Sequence, residues 1–303
     1  MLRPTYGLFA LTAAGGALAT LMLWRRLRRE RDEPPPTRIG FLGNSIIYFN
    51  DLPRLIATLG GSVVQDSCLR GGVNFAQLLQ KGNGMRNKFG ADDPGAPTVA
   101  ALLAEPWDFV VMNDYTQAPA RIETRQASLE VLASEYVPLL QRSGATPVLL
   151  QTWAYREVVK GSGDLGDTAE FTSRLREGYR AYAMALGAAL PASQRPRIAP
   201  VGDAFAAVHD ERPELWAELF HTDGFHPSPL GTYLEACVVH ATVFGSVPAE
   251  AVSVPAEPAQ LWADARLMQP HDSPPLRRPT RDECAYLRGV AATACAEERR
   301  SRL

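Results

Sequence analysis

From Arg38 to Gly245 the chain alternates short apolar runs with longer segments whose apolar positions recur at helical spacing. That alternation constrains the fold more than any other feature. Strands separated by helices cannot pair as hairpins; they align in parallel through right-handed crossovers, with helices covering both faces of the sheet. "RIGFLG" leads into a helix over Leu52–Leu59, and "SVVQDSCL" precedes a helix beginning near Asn74. "WDFVVMND" is followed by the helical "ETRQASLEVLASEYVPLLQR", and "TPVLLQTW" by "TAEFTSRLREGYRAYAMALGAAL", which has a Thr start signal. "RIAPVGDAF" reads as a fifth strand, and "PLGTYLEACVVHATVFG" as an apolar helix stopped by Gly245. Beyond it, "VPAEPAQLWADARLMQPHDSPPLRRP" is proline-rich and expected to wrap the surface. "TRDECAYLRGVAATACAEERR" reads as one last helix with a basic end. No separate core is visible there, so residues 37–303 read as one α/β domain with a C-terminal helical extension.

The first 36 residues differ in kind. Thr5 to Trp24 is a stretch of twenty residues without a charge, the length that crosses a bilayer. Arg25, Arg26, Arg28, Arg29 and Arg31 follow it, whereas a cleavable signal carries its basic residues in front. The expectation is a single-pass membrane anchor. The basic flank and the main domain then lie on the cytosolic side, and "DEPPPT" is a short stiff linker. The alternatives are a cleaved targeting peptide or an apolar helix that packs elsewhere. A formal net charge of −2 gives no case for a nucleic-acid partner. Cys68, Cys237, Cys284 and Cys295 are scattered, with no Cys-x-x-Cys pair and no His at ligand spacing. Buried single thiols are therefore expected, rather than a zinc site or a disulfide framework.

Four strand ends carry candidate chemistry. "RIGFLGNSIIY" ends a buried strand on Gly43, Asn44 and Ser45, putting the Ser45 hydroxyl at the carboxyl edge where open α/β sheets keep their ligands. Polar turn chemistry explains the same three residues equally simply. "HTDGFHPSPLGTYLEA" places Asp223 three residues before His226 on a Pro-broken loop. His226 could take a proton from Ser45 during attack on a carbonyl, with Asp223 fixing its tautomer. An ordinary surface loop would show the same pattern. Asn113, ending "DFVVMND", offers an amide N–H, and Gly72 in "LRGGVNF" a backbone N–H that no side chain shields. With the Ser45 N–H these would form a three-donor oxyanion hole; an Asn turn and a Gly-Gly turn are the plainer readings. His209, His221, His240 and His271 lack such company and read as structural or solvated. Trp153 and Tyr155 could line an acyl site or belong to the core.

Taken together, Ser45, Gly72, Asn113 and the Asp223–His226 pair, in that order, resemble the SGNH (GDSL-like) hydrolase superfamily over roughly residues 37–245. "GNSIIYFNDLP" and "DGFHPSPLGTYLEA" are closest to its subgroup with a Gly-Asn-Ser first block. The resemblance implies a flavodoxin-like three-layer fold and metal-free, cofactor-free hydrolysis of a carboxylic ester. It also implies Ser45 as nucleophile, His226 as base, Asp223 as its partner, and Ser45, Gly72 and Asn113 as oxyanion donors. A small-molecule, lipid or glycoconjugate acyl ester is the expected substrate. Two departures stand out: Asn44 replaces the usual Asp, and Met112 stands where a Gly is common, either narrowing the pocket or packing beneath it. An acyltransferase using the same residues, or a silent membrane-anchored binding protein, would carry the same motifs.

Overall fold

In the computed structural model, residues 35–85, 95–249 and 277–301 are described. The expected anchor Thr5–Trp24 and its basic flank, most of the proline-rich segment, and His271 lie outside them. No helix among the described residues is long and apolar enough to cross a membrane. Thr37–Leu303 is one compact unit.

Strand side chains alternate between two cores, as a sheet covered on both faces requires. Ile39 and Phe41 of β1 (Thr37–Gly43) point into one core and Leu42 into the other. β2 (Val63–Leu69) lies on one side of β1 and β3 (Phe109–Met112) on the other. In β3, Val111 faces the first core while Val110 and Met112 face the second. β4 (Thr146–Leu150) repeats the split with Val148 and Leu150 against Leu149; β5 (Arg197–Ala199) does so with Ala199 against Ile198. All pairings are parallel, in the order β2-β1-β3-β4-β5. That is the flavodoxin-like order, whose direction reverses between β1 and β3 and opens a crevice at their carboxyl ends.

The helices follow from local signals. α1 (Ser45–Tyr48) is one turn, and α2 (Leu52–Gly60) has Pro53 in its first turn, where a missing N–H costs nothing. α3 (Phe75–Lys81) is opened by an Asn74–Gln77 capping box. α4 (Val99–Leu102) precedes β3. The segment expected as one long helix is α5 (Ile122–Val131) and α6 (Val137–Ser143), joined by a π-helical turn over Leu132–Tyr136. α7 (Thr168–Ala189) is capped by Asp167, not by the expected Thr. α8 (Val201–Glu211) begins inside the run read as the fifth strand, because the chain turns at Pro200 after three paired residues. α9 (Pro213–Glu218) and α10 (Pro229–Phe244) follow, the latter ended by Gly245 in the left-handed conformation. α11 (Arg281–Arg300) packs on α10. All four cysteines are free and buried; three of them sit where α10 and α11 meet.

One buried group works against the fold. Glu235 of α10 is fully buried, and neither carboxyl oxygen has a hydrogen-bond partner. Burial alone pushes its pKa well above the usual carboxylate range. The folded state thus keeps the acid neutral while the unfolded chain ionises, so stability falls as pH rises past the ordinary value of about 4.3. Glu235→Gln is expected to match the natural chain near pH 4 and to melt higher at pH 8. Each kcal/mol gained would raise Tm by about 2–4 °C for a chain of this size, read by thermal melts at both pH values.

Candidate active site

Gly43 closes β1 because nothing larger fits: a Cβ there would stand 1.9 Å from the Asn113 Oδ1. The missing side chain leaves room for the Asn113 amide against the end of β1, where Asn113 and Asn44 interlock. The Asn44 N–H donates to Asn113 Oδ1 (3.2 Å) and the Asn113 amide donates to Asn44 Oδ1 (3.0 Å). Asn44 Oδ1 also accepts the Ile46 N–H at 3.2 Å, capping α1. The Asn44 amide donates to the carbonyls of Val73 and Asp114, each at 3.0 Å. Every donor and acceptor of this buried side chain is thus engaged. An Asp at this position would lack this amide, since a carboxylate has no hydrogen for either carbonyl.

Ser45 is the first residue of α1, with its hydroxyl beside the Tyr48 phenol. Burial raises the Tyr48 pKa, and the hydrogen bond with Ser45 draws it partly back. The same phenol approaches the second loop: a Cβ on Gly71 would lie 2.8 Å from Tyr48 Oη. Gly72, beside it, is left-handed at φ 69° and open to solvent. The backbone N–H groups of Ser45 and Gly72 meet no acceptor among the described residues. The Asn113 amide hydrogens go to Asn44 Oδ1 and to the Asp114 carbonyl (2.9 Å). As it stands in the structure, this side chain braces the Ser45 turn and holds no uncommitted donor.

The imidazole comes from a hairpin. Phe220 and Pro227 form an antiparallel bridge, the His221 N–H donates to the His226 carbonyl (2.8 Å), and Gly224 turns the chain at φ 77°. Asp223 Oδ1 accepts the N–H groups of Phe225 (3.1 Å) and His226 (3.0 Å), and Oδ2 lies 2.6 Å from His226 Nδ1. Trp153 Nε1 donates to the Phe225 carbonyl (3.0 Å) and the Arg156 N–H to that of Gly224 (2.8 Å). Trp153 stacks on Phe205 and is 1% exposed, so it buttresses the hairpin from the core and lines no open cleft. Tyr155 is likewise buried, its hydroxyl bonded to Thr116.

Two residues tie this hairpin to the Ser45 turn. The Phe49 ring stacks flat on His226, centroids 3.9 Å apart and planes 7° apart. The Asn50 amide donates to the Pro227 carbonyl (3.1 Å) and to Thr232 Oγ1 (2.8 Å). Asn50 and Asp51 are both left-handed without being glycine, a conformation costing about 1–2 kcal/mol per residue and sustained here by those bonds. Nε2 of His226 is buried and makes no hydrogen bond, so the Asp223–His226 link is formed while Ser45 and His226 are not joined by one. Burial holds the His226 pKa below its ordinary value against the opposing pull of Asp223; Lys160 and His221 lower it further. For Asp223, burial is outweighed by the bonds and charge of His226 and by two backbone N–H groups, bringing its pKa down to about 2. The pair at neutral pH is a carboxylate and a neutral imidazole, the form a general base needs.

His221 is not the detached residue its sequence context suggests. It is buried, its Nδ1 lies 3.8 Å from Asp223 Oδ2, and it meets Phe49 edge-on. Phe49, Asn50 and Tyr48 also escape sequence reasoning, although they lie only three to five residues beyond Ser45. Met112 is fully buried in the second core and packs beneath the sheet. Among the described residues no group of three or more His, Cys, Asp or Glu is placed to hold a metal ion.

No protein-family model matches the chain, and no curated protein does. Solved structures give looser likenesses. A Streptococcus pneumonia protein provisionally described as a platelet activating factor is 17% identical, over 75% of this chain and 98% of its own, at a TM-score of 0.45. A Bacteroides fragilis protein provisionally described as an acylhydrolase is 17% identical, over 74% and 94%, at 0.42. A GDSL-like lipase from Bacteroides thetaiotaomicron is 16% identical, over 73% and 94%, at 0.40. Likeness of this extent carries no weight for any residue's role.

Asn44→Asp is expected to destabilise the domain, because two buried carbonyls lose their donor and face a carboxylate instead. At about 1–3 kcal/mol for an unsatisfied buried group, urea unfolding at pH 7 should show a clearly lower midpoint. Lowering the pH toward 4 should recover part of the loss as the new acid takes up its proton.

Proposed function

We propose that this chain is a serine hydrolase of the SGNH (GDSL-like) kind, cleaving a carboxylic ester through an acyl-Ser45 intermediate. The observation that supports it most is the Asp223–His226 pair packed, through Phe49 and Asn50, against the turn that begins at Ser45.

In this reading Ser45 Oγ attacks the ester carbonyl carbon as its proton passes to His226 Nε2, and the carbonyl π electrons move onto oxygen. The N–H groups of Ser45 and Gly72 receive that oxyanion. Asn113 adds a third donor by exchanging its bond to the Asp114 carbonyl for the developing charge. Collapse expels the alcohol, which takes the proton from Nε2 and leaves the acyl group on Ser45. Water then repeats the sequence, its proton going to Nε2 and its oxygen to the acyl carbon, and Ser45 leaves reprotonated. Asp223 holds Nδ1 throughout and offsets the charge of the transient imidazolium. An acyltransferase differs only in the second acceptor, so product analysis with competing alcohols separates the two. The hydrogen bonds of the Asn44 amide give that residue a structural task that is compatible with an active site.

Ser45→Ala should abolish hydrolysis of short p-nitrophenyl esters and labelling by a fluorophosphonate while leaving the melting temperature within a few degrees of the natural chain. Retained turnover by that variant would end the proposal. The rate should also report the His226 environment. With the imidazole pKa lowered, kcat/KM should hold constant from neutral pH down past 6.5 and fall only below it. Asp223→Asn should cost about 10⁴-fold in kcat, the loss typical when the orienting carboxylate becomes an amide.

A further inference from the structure

Lys160 is one of three lysines in a chain that otherwise uses arginine for its cations, and its backbone is unusual. It is left-handed at φ 53°, with Gly161 following at φ 72°. A lysine gains nothing locally from that conformation, so neighbouring contacts must hold it. Gln117 Nε2 donates to the Lys160 carbonyl (3.1 Å), and Arg121 Nη2 donates to the Gly161 carbonyl (2.9 Å) and to Asp164 (2.6 Å). The side chain, so aimed, puts Nζ 4.2 Å from the centre of the Phe225 ring. Phe225 lies in turn against His226, centroids 3.9 Å apart. An exposed ammonium thus stands with a single ring between it and the imidazole.

No carboxylate among the described residues pairs with this cation. The acids around it are committed: Glu157 to Arg156 (2.9 Å), Asp164 to Arg121, and Asp223 to His226. Nε2 of His226, the atom that would return a proton to the leaving alcohol, is buried and unpartnered on the same hairpin. In the hydrolase reading the imidazole lies on the leaving-group side of an ester bound to Ser45, so a cation one ring away from it is placed toward the alcohol half rather than the acyl half.

We propose that Lys160 is a specificity determinant that selects esters whose alcohol carries an anionic group, a carboxylate or a phosphate. The inference rests on the hydrolase reading above and deepens it. The Phe225 face holds the ammonium in place by cation–π attraction until the anion arrives. The preference is electrostatic, and added salt should erode it.

The test compares three aryl acetates: 4-acetoxybenzoate, 4-acetoxyphenyl phosphate and the neutral 4-acetoxybenzamide. Phenyl hemisuccinate, with its charge on the acyl half, is the positional control. In the natural chain both anionic acetates should exceed the amide in kcat/KM, through KM, and the larger advantage identifies carboxylate or phosphate as the favoured anion. Lys160→Met and Lys160→Gln should lower the ratio of anionic to neutral kcat/KM by about two- to fivefold, and Lys160→Arg should keep most of it. Taking the ratio cancels any change in His226 basicity, which acts on all the esters alike. The hemisuccinate should show no such dependence.

A second readout needs no turnover. 4-Hydroxybenzoate should slow fluorophosphonate labelling of Ser45 more than 4-hydroxybenzamide does, and Lys160→Met should remove that difference. Labelled Ser45 with an unchanged ratio in Lys160→Met, or an equal effect on the hemisuccinate, overturns the role of Lys160 alone. Absence of both labelling and turnover in the natural chain overturns the hydrolase reading and the specificity together.

Discussion

Asn50 holds together residues that the sequence sets 177 positions from one another. Its amide reaches the carbonyl that follows His226 and the hydroxyl of Thr232 in the first turn of α10. Without that clamp the sheet would still form, since its two cores do not depend on it, but only the Phe49–His226 stack would tie the hairpin to the Ser45 turn. The left-handed kink at Asn50 and Asp51 is the cost of the clamp. It brings the chain from α1 into α2 at the angle that lays Phe49 flat over the imidazole. A salt bridge between Asp51 and Arg54 (3.3 Å) steadies the far side of the kink.

The two asparagines at the sheet's switch point share a second task. Asn44 and Asn113 exchange hydrogen bonds in both directions, so the turns after β1 and β3 are set as one unit. Asp114 extends this unit downward. Its buried carboxyl accepts from the Phe75 and Tyr115 N–H groups and from the hydroxyls of Ser128 and Tyr182, joining β3 to α3, α5 and α7. Burial raises its pKa, while all four donors favour the charged form. Rigid support of this kind beneath a candidate oxyanion site suits catalysis by preorganised dipoles, which must already point correctly when charge develops.

The fold was legible because its signal is periodic. Short runs such as "FVVM" and "TPVLL", set between helical segments, fit strands buried on both faces, and Gly245 and Asn74 mark helix ends by known chemistry. "RIAPVGDAF" does not reveal where its strand ends, because apolar residues of β5 run directly into those of α8, with only Pro200 to mark the change. In the site, Asp223 and His226 were legible because three residues of spacing suffice for a hairpin carboxylate to reach its own imidazole. Phe49 and Asn50 were not, since their value depends on a partner far away in sequence. Residue type and a place at the end of a strand make Asn113 a candidate donor in the sequence. Only coordinates reveal that the Asn44 and Asp114 acceptors claim its hydrogens.

The four sequestered thiols have a practical corollary. Burial lifts Cys68 to about 12 and Cys284 to about 11, and lifts Cys237 as well, so almost no thiolate exists while the domain is closed. Alkylating reagents attack the thiolate and need access to sulfur. Modification is therefore gated by transient opening, and its rate measures how often each region breathes. Cys68 would time the edge of the sheet, and Cys237, Cys284 and Cys295 the seam between the last two helices, giving the molecule an intrinsic clock for partial unfolding.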